Sequence, residues 1–275
     1  MTAAAFRSTP VRVRTAYVDW LDDHLSLRDW CVVETVNRLQ VASGQQLERL
    51  CFAGLANDHS RTVTRSRVLG RLVRQRVLVA VGRRVGGSGR GSTVQAFALD
   101  TAGRQLLVRR QLAEAQRVRV RRPGVPGART IRHRLAVSEL YTELTEQARS
   151  SGLAVVTFKA EPAAWWPNGL GGYLKPDAYA VLARGEVRDH WWVEVDLATE
   201  SLPTVRAKVT AYLDFRRRGE QGPDGVLPWL LISTTTARRR AAIAQMVRQL
   251  PEAAALVTVV ESAEAAHKMY SILRE

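Results

Sequence analysis

Apolar side chains recur at helical spacing through the first third of the chain. Leu25, Val32, Val36 and Leu39 mark one helix. Leu47, Leu50 and Cys51 mark a second, after Ser43. Val68, Leu69, Leu72 and Val73 mark a third, from about Ser60 to Arg76. The period then changes. An apolar run from Val77 to Val81 leads into a glycine-rich stretch over 82–92, and residues 93–99 alternate as a strand does. Three helices followed by a hairpin with a long tip is the order of a winged helix-turn-helix over residues 25–120. Residues 1–24 show no such pattern and read as a flexible arm.

The pattern resumes with a helix over about 101–118. A basic stretch rich in Pro and Gly follows, and residues 121–128 read as a linker. From Arg129 to about Ser150, Val137, Leu140, Tyr141, Leu144 and Ala148 line one helical face. Short apolar segments near 154–158, 177–183, 191–197, 227–233 and 255–260 predict strands. Helices are predicted over about 202–217 and 237–250. The order αβββαβαβ predicts a second, α/β domain over 129–275, so the fold class is α+β overall.

Charge changes the picture of the first half. The chain is 275 residues long with a net charge of +15, and residues 1–130 hold 23 Arg against 9 acids. Nearly all the excess therefore sits where the winged helix is predicted, which suits a polyanion. Arg67, Arg71 and Arg74 fall at i, i+4 and i+7 on the third helix, with Arg61 and Arg65 in a neighbouring row. Arg83, Arg84 and Arg90 sit among the glycines of the tip. These eight arginines are the candidate contacts to double-stranded DNA. Cys31 and Cys51 fit no metal-ligand spacing and read as small core thiols of a reducing compartment. No apolar segment reaches membrane length, so the chain is expected in the cytoplasm.

The chemistry-bearing pattern lies in the second half. Lys175-Pro176-Asp177 opens one predicted strand, and Glu194 and Asp196 lie on one face of the next. Acids on an otherwise apolar strand are costly to bury unpaired. Two close carboxylates repel by roughly 4 kcal/mol at an effective dielectric near 20. A divalent cation, Mg2+ or Mn2+, resolves that conflict, with Asp177, Glu194 and Asp196 as ligands. Lys208, on the helix just after, is placed to fold back over the acids. It is equally placed to pair with Glu200 or Asp214. Tyr212, one turn further on, reads as a packing residue or as a transesterification nucleophile. His133 reads as a half-buried histidine or a ligand. Trp165, Trp166, Trp191 and Trp192 suit either a core or stacking on single-stranded DNA.

The order Glu139, Pro176-Asp177, Glu194-Val195-Asp196, Lys208 resembles the PD-(D/E)xK nuclease superfamily, with Asp196 where that motif has its lysine and Lys208 as a migrated lysine. Glu143 competes with Glu139 for the helical acid. More narrowly, His133-Arg134-Leu135-Ala136-Val137, Lys175-Pro176-Asp177, Glu194-Val195-Asp196, Thr199-Glu200-Ser201, Lys208 and Tyr212 are similar to the replication-relaxation family of plasmids and mobile elements. The resemblance spans about residues 25–260. It implies a winged helix joined to a restriction-endonuclease-like domain with a central mixed sheet, and kinship with nuclease-fold relaxases. It implies a role in plasmid replication or mobilisation, with catalysis by Glu139, Asp177, Glu194, Asp196 and Lys208. Plasmid-origin DNA, a second copy of the chain, or other replication and mobilisation proteins are the implied partners. A non-catalytic DNA-binding protein, using the nuclease-like domain for docking, is the competing reading.

Overall fold

A computed structural model describes residues 13–81, 95–112 and 127–274. Arg83, Arg84 and Arg90, and residues 121–126 of the basic linker, lie outside the described residues. The chain opens with helices α1 (Thr15–His24) and α2 (Leu27–Leu39), strand β1 (Ala42–Ser43), and helices α3 (Gly44–Cys51) and α4 (Asp58–Arg74). Strands β2 (Leu78–Val81) and β3 (Ala96–Leu99) and helix α5 (Thr101–Leu112) complete the first half. After it come α6 (Ala128–Ser151), β4 (Ala154–Ala160), β5 (Trp166–Pro167), β6 (Tyr173–Leu174), β7 (Ala178–Arg184) and β8 (Val187–Asp196). The chain ends with α7 (Leu202–Arg217), β9 (Trp229–Thr234), α8 (Ala237–Arg248), β10 (Val257–Glu261) and α9 (Ala265–Ser271).

Local chemistry explains where these helices begin. Ser26 and Asp29 form a reciprocal capping box at α2, and Ser43 and Gln46 form one at α3. Asn57, Ser201 and Thr236 cap α4, α7 and α8 through their side-chain oxygens. Pro203 sits in the first turn of α7, where its missing N–H costs nothing.

In the first half β1, β3 and β2 form a small antiparallel sheet in that order. In the second, β10-β9-β8-β7-β4 form a mixed five-stranded sheet. β4, β7 and β8 are antiparallel neighbours, whereas β8, β9 and β10 run parallel. Strand β8 is therefore central and covered on both faces. Trp191, Val193 and Val195 face the α6 side, while Trp192 packs with Val209, Phe215 and Ile243 on the α7/α8 side.

A single core runs from Leu21, Val36 and Leu72 through Val137 and Leu144 of α6 to Ala180 and Val193 of the sheet. Helix α6 is thus shared by both halves. Its Ser138 hydroxyl donates to the Val41 carbonyl at 2.6 Å.

Two expectations are corrected here. Thr15–His24 is a helix rather than part of a loose arm: Val18 and Leu21 are buried, and Asp19 pairs with Arg109 of α5. Its apolar positions are too few to give a clear period. Cys31 and Cys51 are joined as a disulfide between α2 and α3, with Cα atoms 5.8 Å apart, and are not separate thiols. Linear spacing carries no signal for a crossing of two helices. No helix among the described residues is long and apolar enough to cross a membrane.

Candidate active site

Asp177 and Glu194 meet because of strand register. Ala178 pairs with Val193, and the Asp177 N–H donates to the Val193 carbonyl at 2.9 Å. One step beyond that pair, Asp177 stands opposite Glu194, where cross-strand Cβ atoms are about 5 Å apart. Both residues are buried, at 8% and 7% exposure. Asp177 Oδ2 accepts the Val195 N–H at 2.7 Å, and Oδ1 lies 2.9 Å from His133 Nε2. Glu194 Oε1 accepts from the Tyr212 hydroxyl at 2.8 Å, and Oε2 from Lys208 Nζ at 3.1 Å. Lys208 also reaches Glu200 at 3.0 Å. Lys208 and Tyr212 serve one carboxylate because residues four apart share a helix face.

The electrostatics follow from this burial. The Glu194 carboxyl is pushed up to about 7 by burial and then by the charge of Asp177, against the pull of Lys208 and Tyr212. Burial lowers Lys208, but Glu194 and Glu200 outweigh it and hold the ammonium well above its usual range. The hydrogen bond to Asp177 raises His133 despite its burial. Burial, then the Glu194 charge, raises the Tyr212 phenol well above its usual range. Tyr212 is 2% exposed and is a neutral donor to Glu194, not a poised nucleophile. Glu194 and His133 act in one direction. Glu194 holds its proton in the folded state between its ordinary value of 4.5 and about 7, so stability falls as pH rises through that window. His133 contributes stability below its unfolded pKa and loses it as pH rises through its raised folded value. The metal-free protein should therefore unfold at lower urea at pH 8 than at pH 5.5. Glu194→Gln should flatten that trend, and an unchanged slope in the variant would rule out Glu194 as its source.

The remaining sequence candidates separate from this pair. Asp196 lies on the same strand face, but Arg239 of α8 engages it at 2.5 and 3.2 Å, with Arg239 also donating to the Glu200 carbonyl at 2.7 Å. Asp196, expected as a metal ligand, is thus ion-paired to Arg239. Glu139, expected among the catalytic residues, is not brought to the pair. It projects toward α3, accepting from Gln46 at 2.8 Å and pairing with Arg49, which also binds Glu146. Glu143, the competing helical acid, is half-buried beside them and pushed up to about 7 by burial and the Glu139 charge. Among the tryptophans, Trp191 and Trp192 are fully buried, and Trp165 is exposed.

Three residues at the site carried no firm sequence signal. His133 stood in a matching segment without an assigned partner. Glu200 and Arg239 complete the ion-pair web, yet Arg239 is one of three consecutive arginines and nothing in that run distinguishes it.

A cavity of about 20 Å³, lined by Glu194, Asp196, Glu200, Lys208 and Tyr212, opens beside the pair. It has room for about one water. Among the described residues no group of three His, Cys, Asp or Glu side chains gathers as a metal cage. Two carboxylates on one sheet face do fit Mg2+, which keeps several waters and takes one or two carboxylates plus substrate phosphate. Asp177 and Glu194 would hold it, each carboxylate oxygen having a second lone pair beyond its present partner.

The arginines of α4 divide by partner. Arg61 pairs with Asp58, Arg65 with Glu48 at 2.6 Å, and Arg71 with the fully buried Asp29 at 2.5 Å. Arg67 and Arg74 are exposed, with no acidic partner among the described residues.

A model of the family described as Replication-relaxation matches residues 33–230. No curated protein and no solved structure matches.

Proposed function

The chain belongs to the replication-relaxation family, and on that premise we propose that it nicks DNA in plasmid or mobile-element replication, using Asp177, Glu194 and Lys208. The observation that carries the reading is the buried cross-strand pair Asp177–Glu194 with Lys208 at 3.1 Å. Burying two adjacent carboxylates opposes folding, so the arrangement is best accounted for by a cation partner and a phosphate to act on.

In this reading α2, α3 and α4, with β1–β3, are a winged helix that holds the duplex, and Arg67 and Arg74 contact its phosphates. The five-stranded sheet with α6 and α7 is a PD-(D/E)xK-like core. Bound Mg2+ would neutralise phosphoryl oxygens and acidify a coordinated water. Lys208, held charged by Glu194 and Glu200, is aimed at the negative charge that develops on the phosphate. His133 fixes Asp177 from α6. Tyr212 fixes the Glu194 carboxylate and keeps its second oxygen turned toward Lys208.

The test is incubation of the full chain with supercoiled plasmid and Mg2+. Open circles should appear, and activity should climb about tenfold per pH unit until about pH 7, because Glu194 must lose its proton to bind a metal. Mg2+ should also raise the unfolding temperature more at pH 8 than at pH 6. One observation favours the competing, non-catalytic reading: every oxygen of Asp177 and Glu194 already accepts from, or lies against, a protein donor. Duplex binding with no strand breaks and no Mg2+-induced shift would establish that reading instead.

A further inference from the structure

The hairpin β5–β6 has one face that neither the core nor the carboxylate site uses. Trp166 pairs with Leu174, and Pro167 with Tyr173. Trp166 and Leu174 turn inward onto the α7 side of the sheet. Continuing the register one step places Trp165 opposite Lys175. By alternation Trp165, Pro167, Tyr173 and Lys175 share the opposite face, and all four are exposed. Trp165 is 36% and Tyr173 57% exposed, large fractions for two aromatic rings on one short ribbon. The Lys175 ammonium lies 4.8 Å from the Trp165 ring centroid.

This ribbon is held firmly. Asn168 Oδ1 accepts the N–H groups of Leu170 and Gly172, both at 2.9 Å. Gly169 and Gly171 take positive φ values of 74° and 79°, which the turn requires. Arg218 donates to the Asn168 carbonyl at 2.8 Å, and Trp166 Nε1 to the Gln221 carbonyl at 2.9 Å. The rings therefore stand on a fixed platform, and little ordering cost remains for a ligand that stacks on them.

The platform leads directly into the site, since Lys175 is two residues from Asp177. We propose that this face binds single-stranded nucleic acid, with bases on Trp165 and Tyr173 and a phosphate at Lys175, and feeds the unpaired strand to Asp177 and Glu194. This rests on the nicking function proposed above. Aromatic faces beside a cation suit bases attached to phosphates, and the chain carries a net charge of +15 to attract them. A duplex does not fit, because its base faces are covered. Trp165 and Tyr173 are diagonal cross-strand neighbours, about 7–8 Å apart. That exceeds the roughly 3.4 Å rise of a stacked strand, so each ring takes one splayed base. The arginines of α4 hold duplex and the hairpin holds single strand: two forms of DNA, two surfaces.

The test is fluorescence anisotropy of the full chain, in EDTA, with a labelled twelve-nucleotide oligothymidylate and with a labelled duplex. Trp165→Ala/Tyr173→Ala should weaken oligothymidylate binding by roughly 30-fold or more and leave duplex binding and the unfolding temperature unchanged. Trp165→Phe/Tyr173→Phe should retain most of the affinity, and Lys175→Ala should lower the salt slope by about 0.7. Wild-type affinity in the alanine pair overturns the proposal, as does absence of oligothymidylate binding by the parent protein. So does a Trp165→Leu/Tyr173→Leu pair that binds as well as the phenylalanine pair, since an apolar docking surface would then explain the face. Asp177→Asn separates the two readings. If it nicks normally while the stacking results hold, the nicking assignment fails and the strand site stands. If it does not nick and the stacking results fail, only the strand site is lost.

Discussion

Asp177→Asn should reduce Mg2+-dependent nicking of supercoiled plasmid by at least about 100-fold and leave the chain folded. The amide oxygen keeps the acceptor for the Val195 N–H, so the start of β7 is undisturbed. What disappears is the charge beside Glu194, and with it one of the two carboxylates proposed to hold the metal. Glu194→Gln should cost as much. Tyr212 can still donate to the amide oxygen, and Lys208 still has Glu200. Both variants should also lose the Mg2+-induced rise in unfolding temperature, a readout independent of turnover. Duplex binding should be unchanged, because the carboxylates lie on the five-stranded sheet and the proposed duplex contacts on α4. Wild-type nicking by both variants would remove this site from consideration.

Arg71→Ala should destabilise the protein by about 2–3 kcal/mol, seen as a fall of roughly 5–10 °C in the unfolding temperature. Asp29 is fully buried. Its Oδ2 is used by the Ser26 N–H and hydroxyl, at 2.9 and 2.7 Å, and its Oδ1 by Arg71. Removing the guanidinium strands a carboxylate without its charge partner inside the α2–α4 contact. The partial exposure of Arg71 keeps the figure at the lower end for a broken buried pair. Arg67→Ala and Arg74→Ala should behave in the opposite way. Their unfolding temperatures should hold, and each should reduce the salt slope of duplex binding by about 0.9. Weakened duplex binding by Arg71→Ala at an unchanged unfolding temperature would put that residue back on the DNA surface.

These contrasts show what the linear pattern carries and what it does not. Helical period and cap residues locate α2, α3, α4, α6, α7 and α8 to within a few residues, because burial and end-capping are local. The pairing of Asp177 with Glu194 was also legible, since alternation assigns a strand's faces without knowing its neighbours. For the same reason the ion partner of Asp196 was not legible. Alternation correctly places it beside Glu194, but Arg239 arrives from a helix 43 residues later. Charge alone could not sort the α4 arginines either. Arg67 and Arg71 lie one turn apart, and only the approach of α2 gives Arg71 an acid. The hairpin β5–β6 went unseen because its strands are two residues each, too short for any period.

Helix α6 has a mechanical consequence. Near its N-terminus His133 touches Asp177, and further along Glu139 and Glu146 bind Arg49 of α3. The 13 residue steps from His133 to Glu146 span about 20 Å of this rod. On the proposed function, grip and scissors would be fastened to the same rigid bar. Scission would fall at a constant offset from the bound sequence, as on a jig, and moving the recognition site along a plasmid would move the nick by the same number of base pairs.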